Sequence, residues 1–500
     1  MIDVLLAHSY FLKYDPKQVD KMRPYPPLAT LYAASALREA GYSVALFDAM
    51  LSDGEHEFDE AVRRHRPRFV ALYEDSFNFL VKMCLSRMRR AAQRMSEIAR
   101  ENGAVVIAAG PDVTDNPDVY FPHGVQYALI GEADRTLRDL IDILDRRVTR
   151  PLDELDGLAL PDPAAPAGVR RTRPRTPERR PDSFRFPAWD LVDVERYRAA
   201  WRQAHGYFSL SMVSTRGCPF HCNWCAKPVW GQRYAMRSAA NVAEELDLVK
   251  RTLRPDHIWF ADDIFGLRPQ WVADFAREVQ ARDAAVPFMI QSRADLMTEQ
   301  AITGLAAAGC VEVWLGAESG SQRILDAMDK GITVGQIVTA RTRLKAAGIK
   351  VGYFLQFGYP GEDFQDILAT VQLVRDTLPD RIGVSVSYPL PGTKFHQMVK
   401  DQLGPKTNWV DSNDLAMMFR GTYETTFYRR LHRLLHADLE LRLASANGPP
   451  DVATRAALSG LDEEWTELAE TEAQYRNVSP TLIAKDAALP VAPDLSREWN

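Results

Sequence analysis

Twice along this chain, short apolar runs alternate with amphipathic stretches of helical period. In the first block the runs are "IDVLLAH" (2–8), "YSVALFDA" (42–49), "RFVALYE" (68–74), "AVVIAAG" (104–110) and "YALIGEA" (127–133). Between them lie "PLATLYAASALREAG" (27–41), "FDEAVRRHRP" (58–67), a long helical stretch through residue 102, and a closing helix over 134–147. Strands this apolar are covered on both faces, which requires a parallel sheet with helices on each side. Residues 1–150 are therefore expected to form a doubly wound α/β domain that binds its ligand at the carboxyl ends of the strands.

The second block, 208–400, carries "FSLSMVST" (208–215), "HIWFAD" (257–262), "PFMIQSR" (287–293), "VEVWLGAES" (311–319), "VGYFLQFGY" (351–359) and "IGVSVSYPL" (382–390), again separated by helical segments. Six strand–helix beats are too few for an eight-unit barrel and predict a partial, six-unit one. Residues 151–207 are rich in Pro and Arg, and their cluster Arg170, Arg171, Arg173, Arg175, Arg179 and Arg180 reads as a solvated linker. Residues 401–500 read as a helical C-terminal region with a long helix in 420–444. There Met417, Met418, Phe419, Tyr423, Phe427 and Tyr428 either pack on the barrel or roof its mouth.

With a net charge of −6, nothing in the overall balance points to nucleic acid or an anionic membrane surface, no nucleic-acid partner is expected, and no apolar run reaches the length of a membrane span. The N-terminus reads as a strand and not a signal peptide. The expected compartment is the cytoplasm, where clustered thiols mean metal binding or catalysis.

Three of the five cysteines, Cys218, Cys222 and Cys225, crowd into "TRGCPFHCNWCAKP" (215–228). A structural zinc site takes four ligands, usually in two separated pairs. The other two, Cys84 in a helical stretch and Cys310 after "LAAAG", read as small buried hydrophobes. Three thiolates in one loop suit a 4Fe–4S cluster with its fourth iron open to a substrate or cofactor.

With Trp224 before the last cysteine, and the loop following the first barrel strand, this segment resembles the cysteine loop of the radical S-adenosylmethionine enzymes. "HIWFADDIFGL" (257–267), "QSRAD" (291–295), "GCVEVWLGAESGSQRILDAMDKG" (309–331), "FLQFGYPGE" (354–362) and "SYPLPGTKF" (387–395) follow in that superfamily's order. The resemblance implies that Asp262, Asp263, Ser292, Arg293, Glu318, Ser319 and Gly358 line the S-adenosylmethionine site, with Arg293 forking onto its carboxylate. Read singly, the aspartates are an N-cap pair, Glu318 a surface charge, and Gly358, Gly361 and Gly392 turn residues.

The leading domain resembles that of the cobalamin-binding subfamily in 24–49, at Gly110–Pro111 and in "YALIGEADRTL" (127–137), with "DGLAL" and "FPAWDL" matching its bridging segment. Corrin contacts are then implied at Tyr10, Glu74, Ser76, Gly110 and Asp112. The mutase-type DxHxxG signature is absent after the first strand. His8 is the nearby imidazole and reads as a strand-end residue, so cobalt is expected to lack a protein imidazole. The chemistry so implied is reduction of the cluster by a flavodoxin or ferredoxin, cleavage of S-adenosylmethionine to a 5′-deoxyadenosyl radical, and C-methylation of an unactivated carbon of a small molecule. The alternative is oxidative cyclisation or rearrangement, as in anaerobic porphyrin ring formation. A tRNA methylthiotransferase would need a second cysteine triad, and an electron carrier a fourth ligand.

Overall fold

The computed structural model describes residues 2–477 except Pro228, Asn447, Gly448 and Pro450. Its first sheet contains β1 (Val4–Ala7), β2 (Val44–Phe47), β3 (Phe69–Tyr73), β4 (Val105–Ala109), β5 (Tyr127–Leu129), β6 (Leu158–Pro161) and β7 (Val169–Arg171), in spatial order 2-1-3-4-5-6-7. The first five are parallel, and the reversal of order falls between β1 and β3. In doubly wound sheets that reversal opens a ligand crevice at the strands' carboxyl ends.

The strands β6 and β7 correct the reading of 151–207 as a solvated linker. They add antiparallel to the β5 edge, with Ala128 opposite Ala159 and Ala159 opposite Arg171. Two arginines just after β7 are paired as well, Arg173 with Asp156 (2.9 Å) and Arg175 with Asp139 (2.7 Å). The helical stretch before residue 102 is also broken. Helices Phe79–Lys82 and Ser86–Glu101 flank a turn in which Cys84 takes a left-handed backbone, φ 52°.

The second sheet is parallel throughout, in the order β15-β14-β13-β12-β11-β8. Its strands are β8 (Ser209–Met212), β11 (His257–Phe260), β12 (Phe288–Ser292), β13 (Cys310–Glu318), β14 (Lys350–Phe357) and β15 (Arg381–Val386), each of the first five followed by a helix on the outer face. Between β8 and β11 a small antiparallel hairpin, β9 (Thr215–Gly217) and β10 (Tyr234–Met236), carries the three-cysteine loop. This is the six-unit partial barrel, with the hairpin at its C-terminal end.

Helices Thr425–Ala446 and Val452–Thr471 close the described chain, and residues 478–500 of the expected C-terminal region lie outside it. Met418, Phe419, Tyr423, Phe427 and Tyr428 are buried, with Tyr423 stacked on Phe427 at 4.1 Å. Phe419 and the half-buried Met417 pack with Trp224, Tyr359 and Phe395 beside the cysteine loop. No described helix is long and apolar enough to cross a membrane.

Candidate active site

The loop Cys218–Cys225 is anchored at both ends and in its middle. At its start, Asp262 at the end of β11 accepts hydrogen bonds from Ser214 N (2.8 Å), Ser214 Oγ (2.7 Å), Thr215 N (2.7 Å) and Thr215 Oγ1 (2.9 Å). Burial lifts its carboxyl to about 6 against those bonds. Gly217, at φ +78°, lets β9 approach β10 closely, where a Cβ would run into the Arg233 carbonyl. In the middle, Asn223 donates to Ala327 O (2.7 Å) and accepts from Tyr359 OH (2.9 Å), while its backbone N–H donates to Met328 O (3.0 Å). Beyond Cys225, Lys227 donates to the carbonyls of Cys218 (3.1 Å) and Phe220.

Over this loop stand two buried cations. Arg293 lies 3.7 Å from the centre of the Phe220 ring and 4.0 Å from Cys222 Sγ. Its guanidinium is held by Asp295 (3.0 and 3.1 Å) and donates to Lys330 O (2.7 Å) and Gly331 O (3.2 Å). Lys330 pairs with Glu318 at 2.7 Å, both nearly sealed from solvent, and faces the Trp224 ring at 5.9 Å. Glu318 sits at a register shift in β13 with φ 61°, a strained backbone for a residue with a side chain. Lys330 and Asn223 escaped the sequence reading. Both lie in quoted segments, but their partners sit twelve and more than a hundred residues away.

The other expected S-adenosylmethionine contacts fall around this centre with their own partners. Ser292 Oγ donates to Phe265 O (3.0 Å), and Ser319 Oγ meets Thr370 Oγ1 (3.1 Å). Gly358 N donates to Glu362 Oε2 (2.5 Å), and burial raises that carboxyl to about 8. Asp263 reaches out of the barrel to an ion pair with Lys82 of the first domain.

The donor set suits an iron–sulfur cluster. Cys218, Cys222 and Cys225 are unpaired and partly exposed, whereas Cys84 and Cys310 are buried. Among the described residues no three His, Cys, Asp or Glu side chains gather around one point to hold a single ion. Burial pushes the Cys225 thiol up to about 12 and raises that of Cys218, so ligation must release protons. Trp224 buries its indole N–H beside them with no partner among the described residues.

In the first domain, Glu74 ties two strand-end loops together by accepting from Ser9 N (3.0 and 3.2 Å). A Cβ on Gly110 would lie 2.6 Å from the Glu74 Cβ, so the loops after β1, β3 and β4 meet at this carboxylate, with Ser76 alongside. Tyr10 and Asp112 are engaged elsewhere, Tyr10 OH donating to Asp15 (3.3 Å) and Asp112 accepting from Arg89 Nε (2.6 Å) and Tyr120 OH (2.6 Å). His8 Nε2 lies 2.9 Å from Asp48 Oδ1. Burial lowers the His8 pKa, but Asp48 together with Glu74 and Asp75 outweighs it, and the imidazole titrates above its ordinary value. The buried acceptors Ser9, Glu74, Asp75 and Ser76 suit a ligand edged with amides, as a corrin is.

The two halves meet face to face. Arg216, two residues before Cys218, is buried against Glu132 (2.7 Å) and Asp134 (2.9 Å) of the loop after β5. Phe184 covers its guanidinium at 4.0 Å. Phe77 stacks on Trp230 at 5.2 Å, and Lys82 pairs with Asp263.

This pairing of a cysteine-bearing partial barrel with a doubly wound domain defines a two-cofactor radical enzyme. The Radical SAM superfamily model matches residues 212–374 and the B12 binding domain model residues 23–141. The chain carries a radical SAM domain, with a B12-binding domain ahead of it. Among curated proteins it is 25% identical to an uncharacterized methyltransferase of Pyrococcus horikoshii, over 77% of this chain and 81% of that one. It is 24% identical to the anaerobic magnesium-protoporphyrin IX monomethyl ester cyclase of Rubrivivax gelatinosus, over 76% and 67% of the two chains. Its fold is shared with two solved enzymes. One is the radical S-adenosylmethionine methyltransferase TsrM from Kitasatospora setae (TM-score 0.67, 19% identity, 80% of this chain and 76% of that one). The other is the cobalamin-dependent S-adenosylmethionine radical enzyme OxsB (TM-score 0.69, 16% identity, 95% and 72%).

Proposed function

We propose that this protein is a cobalamin-dependent radical S-adenosylmethionine enzyme that transfers a methyl group to an unactivated carbon of a small molecule, drawing electrons from a flavodoxin or ferredoxin. The observation that carries this reading is the docking of the cysteine hairpin onto the first domain's strand-end loops through Arg216, Lys82 and Phe77. Two cofactor sites facing each other suit a reaction that makes a carbon radical and then methylates it. When bound, the cluster with S-adenosylmethionine supplies the radical chemistry and cobalamin the transferable methyl group.

The chain's own part is positioning. Cys218, Cys222 and Cys225 hold the cluster, Asp262 and Asn223 fix their loop, and Glu318, Ser319, Ser292 and Gly358 line the S-adenosylmethionine site beside Arg293. Glu74, Ser76 and Gly110 form the floor of the corrin site, with His8 retained by Asp48. The cyclase among the relatives supports oxidative cyclisation as the second reading.

A substrate-free test separates the two. Protein reconstituted anaerobically with iron, sulfide and cobalamin is reduced and given S-adenosylmethionine. A methyltransferase should form methylcobalamin with a matching yield of S-adenosylhomocysteine. Release of 5′-deoxyadenosine with no S-adenosylhomocysteine would leave only cyclisation or rearrangement.

A further inference from the structure

Side chains of the barrel strands alternate. Leu210, Ile258, Val313, Tyr353 and Val384 are buried beneath the helices, whereas Trp259, Gln291, Trp314, Phe354 and Ser385 face the lumen and are only half-buried. Trp314 and Phe354 stack at 4.8 Å in space left by Gly352 and Gly383. Trp259 buries its indole N–H there without a partner among the described residues. This inner face is therefore largely aromatic and only half-covered.

Its far end, opposite the cysteines, is basic. His257 begins β11 and Arg381 begins β15. The gap between the outer strands β15 and β8 is bridged by the helix Thr425–Ala446, packed on β15, and by residues 16–25, whose Tyr25 touches Ser209 (3.3 Å) and Trp259 (4.8 Å). These elements bring in Lys17, Lys21, Arg23, His432 and His436, all reached by solvent. His432 and His436 lie ring to ring at 4.2 Å facing Lys17 and Lys21, and Arg23 and Arg381 face His257. Burial and these cations lower all three imidazoles, His257 and His432 to about 4.

The acids nearby offset this group only in part. Glu312 is taken by Arg381 (3.4 Å) and by Trp314 Nε1 (2.7 Å). Asp15, beside Lys17, accepts from Ser412 Oγ (2.8 Å), Ser412 N (3.2 Å) and Tyr10. Asp411 also lies beside Lys17. Lys17, Lys21 and Arg23 form no ion pair among the described residues, and Lys17 donates only to Ser412 O (3.5 Å).

We infer that this basic cleft holds the phosphoryl group of the substrate, whose apolar or planar body lies along the aromatic lumen toward the cysteines. The inference rests on the radical-enzyme reading and adds the substrate class to it. A dianion with three oxygens can engage several of these cations at once, whereas a monocarboxylate would leave most unanswered. From His257 to Phe260 the strand rises about 10 Å, at about 3.3 Å per residue, with Asp262 two residues beyond, a span a phosphorylated metabolite can bridge.

The test uses the full chain with its cluster reconstituted. Inorganic pyrophosphate should bind in calorimetry, at least tenfold more tightly than acetate at the same ionic strength. Lys17→Ala with Lys21→Ala, and separately Arg23→Gln, should each weaken pyrophosphate at least tenfold and leave iron content and S-adenosylmethionine affinity unchanged. The ring-proton resonances of His432 and His436 should titrate at higher pH when pyrophosphate is bound. Absence of binding, equal binding of acetate, or binding indifferent to both variants would overturn the assignment. The yield of S-adenosylhomocysteine tests the methyl-transfer reading separately, because none of these residues lies in the cofactor sites.

Discussion

Replacing Arg216 by Met removes a charge from the joint between the two halves while keeping a long apolar stem against Phe184, Tyr32 and Phe77. The guanidinium is 5% exposed and its partners Glu132 and Asp134 are 5% and 6% exposed. A pair this dry is not a surface salt bridge worth under about 1 kcal/mol. Removing one partner strands buried carboxylates and costs about 3–5 kcal/mol. The loss falls on docking, because the acids belong to the first sheet's loop and the arginine to the cysteine hairpin. About 3 kcal/mol corresponds to a rise on the order of a hundredfold in the undocked population. Amide hydrogen exchange reads this directly, since exchange rates of docked segments follow their opening free energy. Peptides covering 129–136 and 213–217 should exchange on the order of a hundredfold faster in Arg216→Met, while those from β3 and β14 hold their rates. Adding Glu132→Gln and Asp134→Asn should restore most of the protection. Unchanged exchange in the single variant, or losses that simply add in the triple one, would refute the claim that this buried cluster joins the domains.

Ala in place of Cys218, Cys222 or Cys225 should lower reconstituted iron well below that of the parent, and Cys84→Ala or Cys310→Ala should not; iron analysis decides it. Arg293→Lys keeps the charge but loses the fork that grips Asp295 and two carbonyls, so S-adenosylmethionine affinity should fall at least about tenfold at equal iron content, and equal affinity would move that contact elsewhere. Glu362 has a folded pKa of about 8, above its ordinary value, so its contribution to stability is complete only at acid pH and is lost as pH rises toward 8. Relative to Glu362→Gln, the parent should therefore lose stability between pH 5 and 8, by at most roughly 1.4 kcal/mol for each step of one in pH; unfolding midpoints that run parallel in the two proteins would contradict it. Electron paramagnetic resonance of the Co(II)-cobalamin-loaded protein should show no nitrogen splitting, and a triplet abolished by His8→Ala would contradict the Asp48-held imidazole.

The barrel was legible because each strand is a run of alternating apolar residues between helices of clear period, as with "HIWFAD" and the observed His257–Phe260. The order of its motifs made the cysteine loop readable too. The pieces that were not legible share a physical cause. Val169–Arg171 is a strand because an edge is available for it, and its own half-exposed, charged sequence carries no such sign. Residues 79–101 have helical composition throughout, and the break at Cys84 depends on tertiary packing, including Ser86 N donating to Trp409 O (2.8 Å). Likewise Lys330 and Glu318 are ordinary charges in sequence, and become a buried pair only when the turn after β13 folds back.

Because β6 and β7 complete the first sheet, a fragment ending near residue 150 would carry β5 as a bare edge. Such an edge, with Ala128 and Leu129 wholly buried in the intact chain, invites pairing with other molecules. A fragment holding the whole first sheet is therefore longer than the run of parallel strands and helices suggests, reaching past Arg173, whose carbonyl accepts the Gly157 N–H (2.8 Å). The same two strands place the start of the connection to the barrel within the sheet itself. The free tether between the halves is shortened by that length.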